Sequence, residues 1–240
     1  MKDFNKLYQL QNKFLNWLYV LNMPCYLTGG TALGRFYLGH RFCDNLYFHV
    51  NDSYRYLDYI SKMSKKIEDT FKLDLHNSQF NEEYTQLIII EDDLSLKIEF
   101  IRNISFNPNK LAEYKFGQID TPANILPKKL KAMLWRHNVE DLFDIVHIAQ
   151  NYSFNWGDVS SRIELFAKYT MHDIKKRLAT HPTGSIKKTI WPTGTYDSVD
   201  FKKALEQIAF DFEGGGDNSL GTNKLSIEMA KPFLEFQIQP

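Results

Sequence analysis

Thr28-Gly29-Gly30-Thr31 stands between an apolar run, Cys25–Thr28, and a short helical pattern carried by Ala32, Leu33, Phe36 and Tyr37. Adjacent glycines at a strand-to-helix junction let backbone N–H groups approach a ligand, and a helix N-terminus favours an anion such as phosphate. The same pair also makes an ordinary tight turn, which is the commoner use of glycine. Lys97 and Glu99 alternate along the apolar run Leu94–Ile101, so both project from one face of a strand. They suit either a charged site or an exposed pair of opposite charges. Asp141 and Asp144 lie three apart on one face of a helical pattern, with Lys128, Lys129, Lys131 and Arg136 upstream. The seven histidines make no H-E-x-x-H, no G-x-S-x-G is present, and Cys25 and Cys43 form neither a zinc pattern nor a disulfide framework. Lys175-Lys176-Arg177 and Lys187-Lys188 read as solvated surface.

The elements that must position these residues follow from periodicity. Residues 4–22 carry Phe4, Leu7, Phe14, Leu15 and Leu18 at helical spacing, ended by Pro24. Asn45–Val50 is the next strand after Cys25–Thr28. Asn51-Asp52-Ser53 then offers a cap to a helix with Tyr54, Leu57, Ile60, Met63 and Ile67 facing inward. Phe71–Leu75, Thr85–Ile90 and Leu94–Ile101 read as strands, with a short strand near Tyr114–Ile119 inside a polar connection, 102–120. Thr121-Pro122 opens a helical half. Its helices are marked by Ile125 to Leu134, Leu142 to Ile148, Ile163, Phe166, Ile174 and Leu178, and Phe201 to Phe212. Asn151 to Gly157 and Thr180 to Asp200 read as loops. Glu213-Gly214-Gly215-Gly216-Asp217 lacks the Gly-Lys-Ser/Thr ending of a P-loop and reads as a linker. The result is an α+β chain: a mixed sheet with flanking helices over residues 1–120, then a mainly helical domain over 121–240.

Gly29-Gly30-Thr31-Ala32-Leu33 followed by His40-Arg41-Phe42-Cys43-Asp44-Asn45-Leu46-Tyr47-Phe48 resembles the AbiEii/AbiGii toxin family of nucleotidyltransferases. There the run reads roughly G-G-T-A-L, then H-R-x-S-x-D-L-D-F. The resemblance covers roughly residues 20 to 150 and implies a polymerase-β-like nucleotidyltransferase fold. It implies transfer of an NMP from an NTP to an RNA (such as tRNA) or protein acceptor, with Mg2+. Gly29, Gly30, Thr31, Arg41, Lys97 and Arg136 are then nucleotide-binding. Lys97-x-Glu99 matches the family's K-x-D strand, making Glu99 a metal and catalytic carboxylate. Lys129 matches the lysine of I-x-x-x-K-L, a point charge for the triphosphate. Asp141 and Asp144 match both acids of R-x-K-D-x-x-D-L, which by the resemblance makes them catalytic together with Glu99 and Lys129; that motif's basic positions fall on Asn138 and Glu140.

The departures fall where the metals would be held. Two-metal nucleotidyl transfer needs converging carboxylates. The family's D-x-D positions are Asn45 and Tyr47 here, and Asp44 is out of register by one residue. The resemblance therefore leaves two functions open. One is an active toxin-like transferase; the other is a fold that has lost its metal site and binds nucleotide, RNA or a cognate antitoxin.

Composition fits either. Apolar content is 43%, charged content 24%, and formal net charge zero, so no global field draws the chain to nucleic acid or membrane. There is no apolar run of membrane-spanning length and no signal-peptide pattern, so a reducing cytoplasm is expected.

Overall fold

The one-face alternation of Asn45–Val50 and Leu94–Ile101 is that of strands lying on a core, and a sheet is built around them. The computed structural model describes residues 2–51, 53–102, 110–136, 138–163, 169–180 and 183–233. The chain groups into two compact units, one holding Met1–Ala32 and Cys43–Asp120, the other Leu33–Phe42 and Thr121–Pro232.

The first unit begins with α1 (Phe4–Val20), whose cap residue Asp3 accepts from the Lys6 N–H. Then come β1 (Cys25–Leu27), the start of α2 (Gly29–Phe36), β2 (Asn45–Val50) and α3 (Tyr56–Ile67). The remaining strands are β3 (Lys72–Leu73), β4 (Gln79–Phe80), β5 (Tyr84–Glu91), β6 (Leu94–Arg102), β7 (Ala112–Tyr114) and β8 (Gly117–Ile119). They form one mixed sheet in the order β3-β5-β6-β2-β1-β8-β7, with β4 also on β5. β2 lies inside it, parallel to β6 and antiparallel to β1. One sheet face is apolar: Leu46, Phe48, Val50, Leu87, Leu96, Ile98 and Phe100 are buried. The buried residues of α1 and α3 complete this core, with Phe48 against Phe100 at 5.1 Å between ring centroids and Phe14 against Phe48 at 6.4 Å. Burial of such aromatic area is the main force holding a sheet to its helices.

The second unit contains α4 (Pro122–Ala132), α5 (Val139–Asn151), β9 (Tyr152–Ser153), α6 (Trp156–Ser161), α7 (Met171–Thr180), α8 (Ile186–Thr189), α9 (Ser198–Gly214) and β10 (Leu225–Ser226). Side chains start most of its helices. Thr121, Asn138, Asn155 and Asp197 each accept from N–H groups of the turn they precede, which satisfies donors that have no partner inside the helix. α5 is buried nearly all round and forms the centre of this unit.

The chain is thus α+β, with a mixed sheet followed by helices. Details differ from the sequence reading. Residues 53–55 form a 3-10 turn before α3, so the inward face starts at Tyr56 and continues through Ile60, Met63 and Ile67. Tyr54 and Leu57, expected inside, are 95% and 53% exposed. The triglycine is not a linker: α9 runs to Gly214, and Gly215 (φ 61°) closes it in the left-handed conformation that favours glycine. The Gly216 carbonyl then accepts the Trp156 N–H at 2.8 Å. The loop Asn151–Gly157 holds β9, which pairs with β10, and 180–200 holds α8. The helix expected through Ile163 and Leu178 is instead α6 ending at Ser161 and α7 starting at Met171; Phe166 lies outside the described residues, as do Asp52 and 103–109.

Candidate functional site

In the first unit the parallel register sets Asn45 beside Lys97 and Tyr47 beside Glu99, on the sheet face opposite the core. β5 brings Gln86 beside Glu99 from the other side. Glu99 is the focus of this face. Its Oε2 accepts from Asn45 Nδ2 at 3.1 Å and lies 2.9 Å from Lys97 Nζ, and its Oε1 accepts from the Tyr84 hydroxyl at 2.9 Å. Burial, then the hydrogen bond to Glu99 and its negative charge, push the Tyr84 phenol upward, which keeps it a neutral donor. Tyr84 carried no chemical signal in the sequence. Only strand pairing across β5 and β6 reveals its role.

The glycine turn borders the same face. Gly29 has φ +72°, a conformation costly for any side-chain-bearing residue, and a Cβ there would sit 3.8 Å from the Tyr47 ring. Thr28 N–H donates to the Tyr47 carbonyl at 2.9 Å, while Thr31 Oγ1 donates to the Asn45 carbonyl at 2.6 Å. Thr28 Oγ1 also donates to Asp120, a fully buried carboxylate at the end of β8, at 2.6 Å. Cys43 directs its thiol to the Gly30 carbonyl at 3.2 Å. The turn is thereby bound to β2 by backbone and side-chain bonds. Asp44, out of register as expected, pairs with Lys2 at 2.8 Å.

In the second unit another group converges. Arg41 grips Asp144 with two bonds, Nε to Oδ1 at 2.7 Å and Nη2 to Oδ2 at 3.0 Å. Lys129 Nζ lies 2.7 Å from Asp141 and 2.8 Å from Asp144, and Arg136 forks onto Asp141 at 2.6 and 2.8 Å. His40 Nε2 meets Asp144 Oδ1 at 2.7 Å. Burial alone would push the Asp144 carboxyl up, but the charges of Arg41 and Lys129 outweigh it and hold the group well below the usual range. Asp141 is lowered in the same way, burial being outweighed by Lys129 and Arg136. Burial would lower the Lys129 ammonium, and the two aspartates reverse that. Burial pushes His40 down to about 4, against its bond to Asp144. The imidazole is therefore neutral and donates through Nε2, leaving its Nδ1 without a hydrogen-bond partner among the described residues.

The residues singled out from sequence thus form two groups, one in each unit. Gly29, Gly30, Thr31, Asn45, Tyr47, Lys97 and Glu99 gather in the first; Arg41, Lys129, Arg136, Asp141 and Asp144 gather in the second. Lys129 is 6% exposed, and its charge is neutralised by two carboxylates within its own unit. The second group is a closed ion network tying α4 and α5 to the His40-Arg41 segment. The first is a partly covered polar face on which Lys97 is the most exposed side chain, Glu99 is largely covered and Thr31 is buried.

A two-metal centre requires several carboxylates with free lone pairs. β2 and β6 together supply one, Glu99, and it is already bonded to an ammonium, an amide and a phenol. Among the described residues no three His, Cys, Asp or Glu side chains converge as metal ligands. The donors present on this face do not fit a pair of divalent cations.

No protein-family model matches the chain, and no curated protein matches it in sequence. Solved structures do match in fold. JHP933 from Helicobacter pylori is similar with a TM-score of 0.60 at 17% identity, over 89% of this chain and 95% of that one. MenT4, a nucleotidyltransferase toxin from Mycobacterium tuberculosis H37Rv, is similar with a TM-score of 0.55 at 18% identity, over 90% of this chain and 84% of that one. The chain has a nucleotidyltransferase-like fold, of the kind found in MenT4.

Proposed function

We propose that this chain is a nucleotidyltransferase-fold protein of the AbiEii toxin type with a degenerate metal site, which binds nucleotide and has little or no NMP-transfer activity. One observation carries the reading: at the D-x-D positions Asn45 and Tyr47 face Lys97 and Glu99, and the Asn45 amide donates to the remaining carboxylate. Two carboxylates in those places would repel each other and recruit cations, whereas an amide and a carboxylate satisfy each other without metal. MenT4, a nucleotidyltransferase toxin of similar fold, supports the toxin-type reading. On that reading the partners are an RNA such as tRNA or a cognate antitoxin. Neither cysteine is in a disulfide, and among the described residues no helix is long and apolar enough to cross a membrane, which supports a cytoplasmic setting.

The test is incubation of the chain with labelled NTPs, Mg2+ and total RNA. Incorporation should stay at background, because loss of metal-binding carboxylates removes a contribution of several kcal/mol to transition-state stabilisation. Robust incorporation into RNA or protein would instead establish an active transferase.

A further inference from the structure

Resting on the nucleotide-binding reading above, we propose that the β2–β6 face receives a nucleoside polyphosphate as a free anion, with Lys97 as its phosphate-binding cation and no divalent metal in the site.

Lys97 and Glu99 are unequal partners. The Lys97 side chain is 44% exposed and that of Glu99 13%, so the ammonium is the outer member and sits on a flexible stem. Lys97 can turn to an incoming phosphate without stranding Glu99, because Asn45 Nδ2 at 3.1 Å and the Tyr84 hydroxyl at 2.9 Å continue to satisfy that carboxylate. A cation approaching Glu99 meets the reverse situation. An ammonium, an amide N–H and a phenol O–H all aim their positive ends at the carboxylate oxygens, and a divalent ion would have to displace them. A site lined by several carboxylates repels phosphate until metals fill it. Here Glu99, the one carboxylate that β2 and β6 carry, is compensated in advance, and the neutral Asn45 and Tyr47 add no repulsion.

This arrangement makes a prediction of unusual sign for Glu99. In a metal-dependent site Glu99→Gln removes a ligand and weakens nucleotide binding. Here it removes the negative charge competing for Lys97, so nucleotide should bind more tightly. The experiment is calorimetric titration of the full chain with ATP, GTP, CTP and UTP in turn, in EDTA and again in excess Mg2+. At least one NTP should bind in EDTA, no more weakly than with Mg2+. Lys97→Met should weaken that binding by roughly tenfold or more, and Glu99→Gln should strengthen it several-fold, as expected for a charge pair near a protein surface. Binding in EDTA that is indifferent to Lys97→Met overturns the assignment of this face. Binding that appears only with Mg2+ and weakens in Glu99→Gln overturns the metal-free site while leaving nucleotide binding standing. If no NTP binds to any form in either buffer, the inference and the nucleotide-binding reading fall together.

Discussion

Asn45 and Tyr47 decide the chemistry of the sheet face, and they do so in different ways. Asn45 presents a neutral amide that bonds Glu99 at 3.1 Å, where the resembled family's pattern has a carboxylate. Tyr47 presents a partly buried ring beside Gly29, at the second carboxylate position of that pattern. Asn45→Asp with Tyr47→Asp sets two carboxylates on one strand face beside Glu99, and the triad should bind Mn2+ measurably in a calorimeter. Lys97 still neutralises Glu99 in that variant, so adding Lys97→Met should tighten the metal further. Because Tyr47 is only partly covered, the double variant should unfold within about 1 kcal/mol of the parent, the usual range for changes outside a core being smaller still. Marked destabilisation without metal binding would mean that the ring is an essential filler of the turn and that the site cannot be reopened.

Among the elements, α5 carries the greatest electrostatic load. Val139–Asn151 is buried nearly all round, yet it brings Asp141 and Asp144 into the interior of its unit. They are tolerable there because Arg41, Lys129 and Arg136 meet them at 2.6 to 3.0 Å. Removing one member of such a buried network strands the charges that remain, at a cost of roughly 3–5 kcal/mol. Asp144→Asn should therefore lower the urea midpoint sharply, since it leaves Arg41 and Lys129 short of a carboxylate. The exposed pair Lys203–Asp200 on α9, at 3.3 Å, makes a useful contrast: Asp200→Asn should have almost no effect. Equal effects at the two positions would show that the buried network does not hold α4, α5 and the His40-Arg41 segment together.

For the molecule as a whole, the buried His40 makes stability depend on pH. Its folded pKa of about 4 lies below the ordinary 6.5, mainly through burial. Between those values the unfolded chain binds the extra proton and the folded chain does not, so stability rises with pH across that window and is lost on acidification. The difference is worth about 3 kcal/mol for this one residue. The depressed Asp141 and Asp144 act in the same direction, but only below the ordinary aspartate range. Denaturation midpoints should fall steadily from pH 7 to pH 5, and His40→Gln should flatten that slope. A slope unchanged by the substitution would assign the effect to other groups, His147 first, since burial also lowers it.

The sequence by itself determined the larger elements and their order, but not the short β4, β9, β10 and α8. Alternation in Asn45–Val50 and Leu94–Ile101 dictated which residues lie on the core, because strand side chains alternate whatever their neighbours are. The Gly29-Gly30 turn and the Thr121-Pro122 helix start were equally legible, being matters of local spacing, whereas the departure of Asn45 and Tyr47 from D-x-D was legible only against the family that the chain resembles. Tertiary structure decided everything that depends on register between distant segments. That Tyr84 would complete Glu99, that Lys129 would bond both Asp141 and Asp144 rather than stand free, and that His40 would be buried on Asp144 are facts about pairs 12 to 104 residues apart. Gly214-Gly215-Gly216 shows the same division. Its composition permits either a linker or a helix cap, and the hydrogen bond from Trp156 to Gly216 chooses the cap, because a backbone carbonyl takes the partner that folding brings to it.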